Sequence, residues 1–297
     1  ILSLRLPNTV KELPEKLMEK IQRIAYNAKL LLNPSCSSVY GVPYVLYSQH
    51  VLENCFNISQ EIVPKKQNMF NMFKLLSNTP RNPAVKVLVV GKYLYTDENG
   101  NTTDKGDAYL SVRHAIDHAT FRKKGQLYTI EYLDLINENL FNKYREGNFE
   151  KLREYKAIIL TGGFGTNGYG EMIEIAHFTR INNIPTLGIC LGFQMMVLEY
   201  FRNVIGDAMA TTSELHPNTM NAEISGENEE TKKHKFIIDL HRDSRGENVD
   251  MGGTLRKGVF DVQHTEYVDF FGENCTYNVQ LRFRHRYHLN SDLLKTY

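Results

Sequence analysis

The sequence predicts an α/β protein: a mostly parallel open sheet with helices on both faces. Two observations carry that prediction. Apolar runs rich in β-branched residues alternate with helical patterns along residues 84–205. These runs are apolar throughout rather than on one side only, as strands covered on both faces are. In addition, three of them lead straight into glycine-bearing turns, the punctuation expected between a buried strand and the helix that follows.

The elements follow in order. Residues 11–30, KELPEKLMEKIQRIAYNAKL, place Leu17, Ile21, Ile24, Ala25 and Ala28 on one helical face, with Pro14 suited to the first turn. The stretch NPSCSSVYGVPYVLYSQHVLENCF reads as a turn, a short extended piece and another helix. Residues 57–83 are polar, carry Pro64, Pro80 and Pro83, and read as a linker with a helix around Met69 to Leu76. AVKVLVVG (84–91) is then a buried strand, and 107–120 a helix with Tyr109, Val112, Ala115, Ile116 and Ala119 on one face. LYTIEYL (127–133) and KAIILTGG (156–163) are strands, 171–182 a helix, and IPTLGI (184–189) a strand running into a helix. From about residue 206 the chain turns polar, and 221–248 reads as charged and loop-like.

A length of 297 residues suggests about two domains and a real core. With 35 basic and 34 acidic residues the net charge is +1, so no global field favours nucleic acid or an acidic membrane. The chain opens on Ile1 without a signal-peptide pattern, and its apolar runs fall short of the ~18 residues that span a bilayer. A cytosolic location is expected. Cys36, Cys55, Cys190 and Cys275 stand far apart, which argues against a disulfide framework, a zinc site or any metal.

Two motifs carry chemistry. GICLG has the spacing of a nucleophile elbow, with Cys190 between Gly188 and Gly192 at a strand-to-helix corner. A helix N-terminus there lowers a thiol's pKa and offers N–H groups to an oxyanion. The competing reading is a buried structural cysteine at a strand end. TGGFGTNGYGE (161–171) also ends a strand and precedes a helix. It reads as a phosphate cradle, a plain turn, or a second source of N–H groups facing Cys190. The first lacks Gly-Lys-Ser/Thr, and the third fits a sheet that gathers ligands at its strand ends.

From TGGFG to TTSEL the sequence resembles the glutaminase domain of the CTP synthase family, within the class I glutamine amidotransferases. VLVVGKY, DAYLSVRHAIDHA, MGGTLRKG, RFRHRYHLN and SSVYGVPYVLYSQ resemble further family segments in order, covering about residue 35 to 297. The resemblance implies a flavodoxin-like amidotransferase fold. It divides the chain into the tail of a synthetase domain (1–56), a linker (57–83) and a C-terminally incomplete glutaminase domain (84–297). It also implies glutamine hydrolysis through a γ-glutamyl thioester on Cys190, the ammonia serving a synthetase that converts UTP to CTP. The N–H groups of Gly163 and Leu191 would form the oxyanion hole, and Gly192, Phe193 and Gln194 would line the glutamine pocket. Glu214 would hold the substrate's α-amino group and Arg286 its α-carboxylate.

ATP and Mg²⁺ would belong to the absent synthetase half, GTP would act as activator, and the whole would be a homo-oligomer, a tetramer by resemblance. The family's triad also needs a His and a Glu in a late His-Pro-Glu motif, and none of the ten histidines here precedes Pro-Glu. His216 is followed by Pro217 and Asn218, while His285 and His288 are weak substitutes beside Arg286. Asn167 stands where the family carries arginine, and residues 94–106 lengthen a loop. Another class I amidotransferase, another cysteine-elbow hydrolase and a silent interaction module are the alternatives.

Overall fold

The computed structural model describes residues 2–6, 10, 13–26, 28–36, 38–59, 64–104, 106–215, 235–240, 256–263 and 278–290. The chain divides into two compact units, 1–83 with 114–129, and 84–113 with 130–297.

In the first unit, β1 (Leu2–Leu6) pairs in parallel with β2 (Leu30–Pro34), Leu4 lying opposite Leu32. Parallel neighbours need a crossover, and α1 (Glu15–Ile24) provides it. This corrects the longer helix read over 11–30. Leu30 to Leu32 are taken by the strand pair, so α1 stops at Ile24, and its apolar face is not buried: Leu17 is 42% and Ile24 70% exposed. Helices α2 (Gly41–Ser48), α3 (Val51–Phe56) and α4 (Pro64–Asn78) follow. The Gln49 side-chain amide clamps β2, accepting from the Leu32 N–H at 2.7 Å and donating to the Leu32 carbonyl at 2.6 Å. Tyr40, Leu76 and Leu127 form this unit's buried cluster, with Phe73 and Phe121 packed on it.

The predicted sheet lies mostly in the second unit. Its strands are β3 (Arg81–Gly91), β6 (Leu127–Asp134), β7 (Tyr155–Leu160) and β8 (Thr186–Gly188), in the order β6-β3-β7-β8. The β3–β7 and β7–β8 pairs are parallel. Second, first, third, fourth is the order of a doubly wound sheet whose reversal lies between β3 and β7, and sheets of this kind bind ligands beyond the strands' carboxyl ends at that point. The connecting helices are α5 (Leu110–Lys124), most of which belongs to the first unit, α6 (Glu138–Glu146), α7 (Tyr169–Ile181) and α8 (Leu191–Tyr200). Only α6 went unread in the sequence. Leu88, Val90, Ile158 and Leu160 of the strands are fully buried with Ile175, Met195 and Leu198 of the helices. Burial of each such side chain is worth about 1.5–3 kcal/mol.

Residues 94–106, expected as a loop, instead fold largely into an antiparallel hairpin of β4 (Leu94–Thr96) and β5 (Thr102–Asp104). The reason is turn chemistry: the Asp97 carboxylate accepts from the N–H groups of Asn99 (2.9 Å) and Asn101 (2.8 Å). Beyond residue 206 the polar composition also misled. Here β9 (Ala210–Thr212), β10 (Lys235–Leu240) and β13 (Tyr287–Leu289) form a three-stranded sheet in the order β13-β10-β9. Strand β11 (Arg256–Gln263) pairs with β12 (Asn278–His285). Buried Phe236, Ile237 and Ile238 on β10 lie within the stretch read as a loop. Cys275, His216 and the MGGT of MGGTLRKG lie outside the described residues. No described helix is long and apolar enough to cross a membrane.

Candidate active site

The elbow is built by close contact between strand and helix. Cys190 is the N-cap of α8, with φ 53° and ψ −108°, a left-handed backbone that costs a side-chain-bearing residue about 1–3 kcal/mol. The corner around it admits no extra atoms. A Cβ on Gly192 would lie 2.1 Å from the Leu160 carbonyl oxygen, and one on Gly188 would lie 2.5 Å from the Phe193 nitrogen. The sulfur is therefore presented at the carboxyl end of the sheet. The N–H groups of Gly163 and Leu191 point at it, and its S–H faces the Arg284 carbonyl at 3.9 Å.

The thiol's pKa goes the opposite way from the sequence expectation. Burial pushes it up and the Glu214 carboxylate adds to the rise, while the Leu191 and Gly163 N–H groups pull it down without cancelling it.

The glycine loop after β7 is gripped from several sides. Tyr109 donates its hydroxyl proton to the Gly162 carbonyl at 3.2 Å, and the Phe164 N–H donates to the Tyr93 hydroxyl at 2.8 Å. Lys92 Nζ donates to the Gly165 carbonyl at 2.5 Å and stands over the Tyr169 ring. Glu214 accepts from the Gly165 N–H at 3.1 Å and from the Tyr169 hydroxyl. Burial lowers the pKa of Lys92 against the pull of Glu214, and burial and Glu214 together raise that of Tyr169. Sequence reading placed Tyr109 only on a helix face and did not single out Lys92, Tyr93 or Tyr169. The usable signal was Gly-Lys-Tyr directly after an apolar run, the end of the strand where ligands gather.

Of the residues singled out in the sequence, Cys190, Gly163, Leu191 and Glu214 come together. Gln194 is buried, and its side-chain amide donates to the Tyr287 carbonyl at 2.9 Å. Phe193 stays 47% exposed. Arg286 sits between β12 and β13, half-buried, next to Tyr287. The Tyr287 hydroxyl is pushed up to about 12 by burial and then by Glu214. His285 packs edge-on against Phe283. His177 pairs with Glu199 at 2.8 Å, superficially a base with its orienting carboxylate. However, Glu199 lies nine residues beyond Cys190, about 13 Å along α8 at 1.5 Å per residue. Its oxygens are also filled by Arg180 and Asn203. Cys36, Cys55 and Cys190 are free thiols. Among the described residues no group of three or more His, Cys, Asp or Glu could hold a metal ion.

A cysteine elbow on a parallel sheet, with a glycine loop opposite the sulfur, defines a class, and residues 106–296 match the model of the family glutamine amidotransferase class-I. The chain belongs to that family. Within it, the sequence is similar to CTP synthases. It is 32% identical to that of Sulfolobus acidocaldarius over 275 residues, 90% of this chain and 46% of the relative. It is 34% identical to one from Prochlorococcus marinus over 261 residues, 86% and 42% of the two. The chain thus spans less than half the length of these relatives. Among solved structures it is similar to the Trypanosoma brucei CTPS glutaminase domain with bound acivicin. That match has a TM-score of 0.51 and 25% identity, covering 71% of this chain and 70% of that one.

Proposed function

We propose that this chain is the glutamine-hydrolysing part of a CTP synthase, with Cys190 as nucleophile. The observation that carries this reading is the pair of N–H groups, from Gly163 and Leu191, aimed at one sulfur in an elbow. The Cys190 thiolate attacks the side-chain amide carbon of glutamine. The resulting oxyanion accepts from those two N–H groups, and water later cleaves the thioester to glutamate. A histidine base takes the thiol proton and hands it to the departing amide nitrogen, which leaves as ammonia with the C–N bonding electrons; we assign that role to none of the described histidines.

Glu214 receives the substrate ammonium and Arg286 its carboxylate, a charge match for a zwitterion. Seating the ammonium on Glu214 also offsets a negative charge that raises the thiol's pKa. Gln194, through its bond to Tyr287, ties α8 to the strand entered after Arg286. In the whole protein the ammonia would meet UTP activated by ATP and Mg²⁺, with GTP as activator, in a cytoplasmic homotetramer.

The test uses the full-length protein. Acivicin is expected to label Cys190, and Cys190→Ala is expected to abolish ammonia release from glutamine while ammonia-dependent CTP formation continues. An adduct on Cys36, Cys55 or Cys275, or glutamine turnover surviving Cys190→Ala, would sink the proposal.

A further inference from the structure

We propose that Tyr109 is a positioning residue that locks the Gly162–Gly163 peptide with its N–H toward Cys190, an inference that rests on the function proposed above. The C=O of Gly162 and the N–H of Gly163 belong to one planar trans peptide and point in opposite directions. Half a turn of that plane would aim the carbonyl at the sulfur and carry the N–H away. Glycine on both sides leaves no Cβ to oppose such a turn. The restraint has to come from outside the loop, and the Tyr109 hydroxyl supplies it by donating to the Gly162 carbonyl at 3.2 Å.

Valence counting fixes the direction of that bond. A phenol has one proton and two lone pairs. Both lone pairs of Tyr109 are occupied, by the N–H groups of Lys92 (3.1 Å) and Tyr93 (3.3 Å). Its proton is left for Gly162. The ring is tightly packed: it is 4% exposed, and it lies so flush on Gly91 that a Cβ there would come within 2.6 Å. The backbone end is tied as well, because the Asp104 carboxylate accepts from the Tyr109 N–H at 2.9 and 3.0 Å. Asp104 ends the hairpin strand β5, so the inserted hairpin is linked through one tyrosine to the oxyanion-facing peptide.

The test compares wild type and Tyr109→Phe in the full-length protein, with glutamate γ-semialdehyde as probe. The Cys190 sulfur adds to the aldehyde carbon, the C=O π bond opens, and the thiol proton ends on the oxygen, which lies where the oxyanion would. Losing one oxyanion donor outright costs about 10²–10³ in rate. A peptide that is freed rather than removed is expected to weaken the adduct about 10–100-fold, with kcat for glutamine falling alike and KM within about threefold. A purely structural tyrosine would move the melting temperature without this split.

Equal adduct affinity in wild type and Tyr109→Phe overturns the lock. Absence of an adduct in wild type overturns the proposed function itself, and the lock with it. If Tyr109→Phe does not yield folded protein, Asp104→Ala loosens the same tyrosine from its backbone end. It is expected to weaken the adduct at least about threefold with KM unchanged, and no weakening there overturns the lock.

Discussion

The two ends of α8 each draw an ionisable group at least partly out of water and treat it oppositely. At the start of the helix, Cys190 has two backbone N–H groups for partners and a carboxylate in view, and its pKa is raised. At the far end, Glu199 is 1% exposed, yet its pKa is lowered by donors from Arg180, His177 and Asn203. Desolvation pushes both groups toward neutrality. The difference lies in the company each keeps: a buried charge whose lone pairs are all spoken for is a fastening, while one left short of partners keeps capacity for a substrate.

The contrast can be broken at either end. The largest effect is expected at the fastening. Glu199→Gln should cost roughly 2–3 kcal/mol in chemical denaturation, below the ~3–5 of a fully buried broken pair, because the Arg180 side chain is 35% exposed. Glutamine turnover should stay within about twofold; a tenfold loss would make this end part of the chemistry. The sign with pH follows from the lowered carboxyl. Its contribution is complete above the ordinary carboxylate range and is lost as pH falls through the lowered value. The acid-side fall in thermal stability should therefore be shallower in Glu199→Gln than in wild type.

The next effect belongs to the open end. Glu214→Gln is expected to raise KM for glutamine about 10–30-fold, the worth of one hydrogen bond to a charged group, and an unchanged KM would remove Glu214 from the ammonium site. The smallest effect is on the thiol. Alkylation of Cys190 by iodoacetamide should rise with pH to a midpoint above the ordinary cysteine value of about 8.5. Glu214→Gln should draw that midpoint down by less than about one unit, since it removes a negative charge that opposes the thiolate. An upward move would contradict the electrostatics described here.

Legibility in the sequence followed burial. β3 and β7 could be read because strands covered on both faces are largely apolar, and Cys190 because its flanking glycines answer to contacts of 2.1 and 2.5 Å. The parallel β1–β2 pair was hidden because its leucines could equally extend a neighbouring helix. β10 was hidden because KFIIDL sits in charged sequence whose polarity dominates any window. Lys92, Tyr93, Tyr109 and Tyr169 were missed for a different reason. They act on carbonyls, N–H groups and one carboxylate that only the fold brings within reach, and no spacing rule encodes such partners. The thiol's raised pKa was missed likewise, because the burial that chiefly raises it, and the carboxylate 24 residues away that adds to the rise, arise only in the fold.

The 2.1 Å between a would-be methyl on Gly192 and the Leu160 oxygen has a further meaning. It makes β7 a datum surface against which the first turn of α8 is seated with no clearance, as a shaft is located by its shoulder. The sulfur's position is thereby referred to a strand whose Ile158 and Leu160 are fully buried. A shift of the thiol relative to β7 therefore requires the helix's first turn and the strand to part.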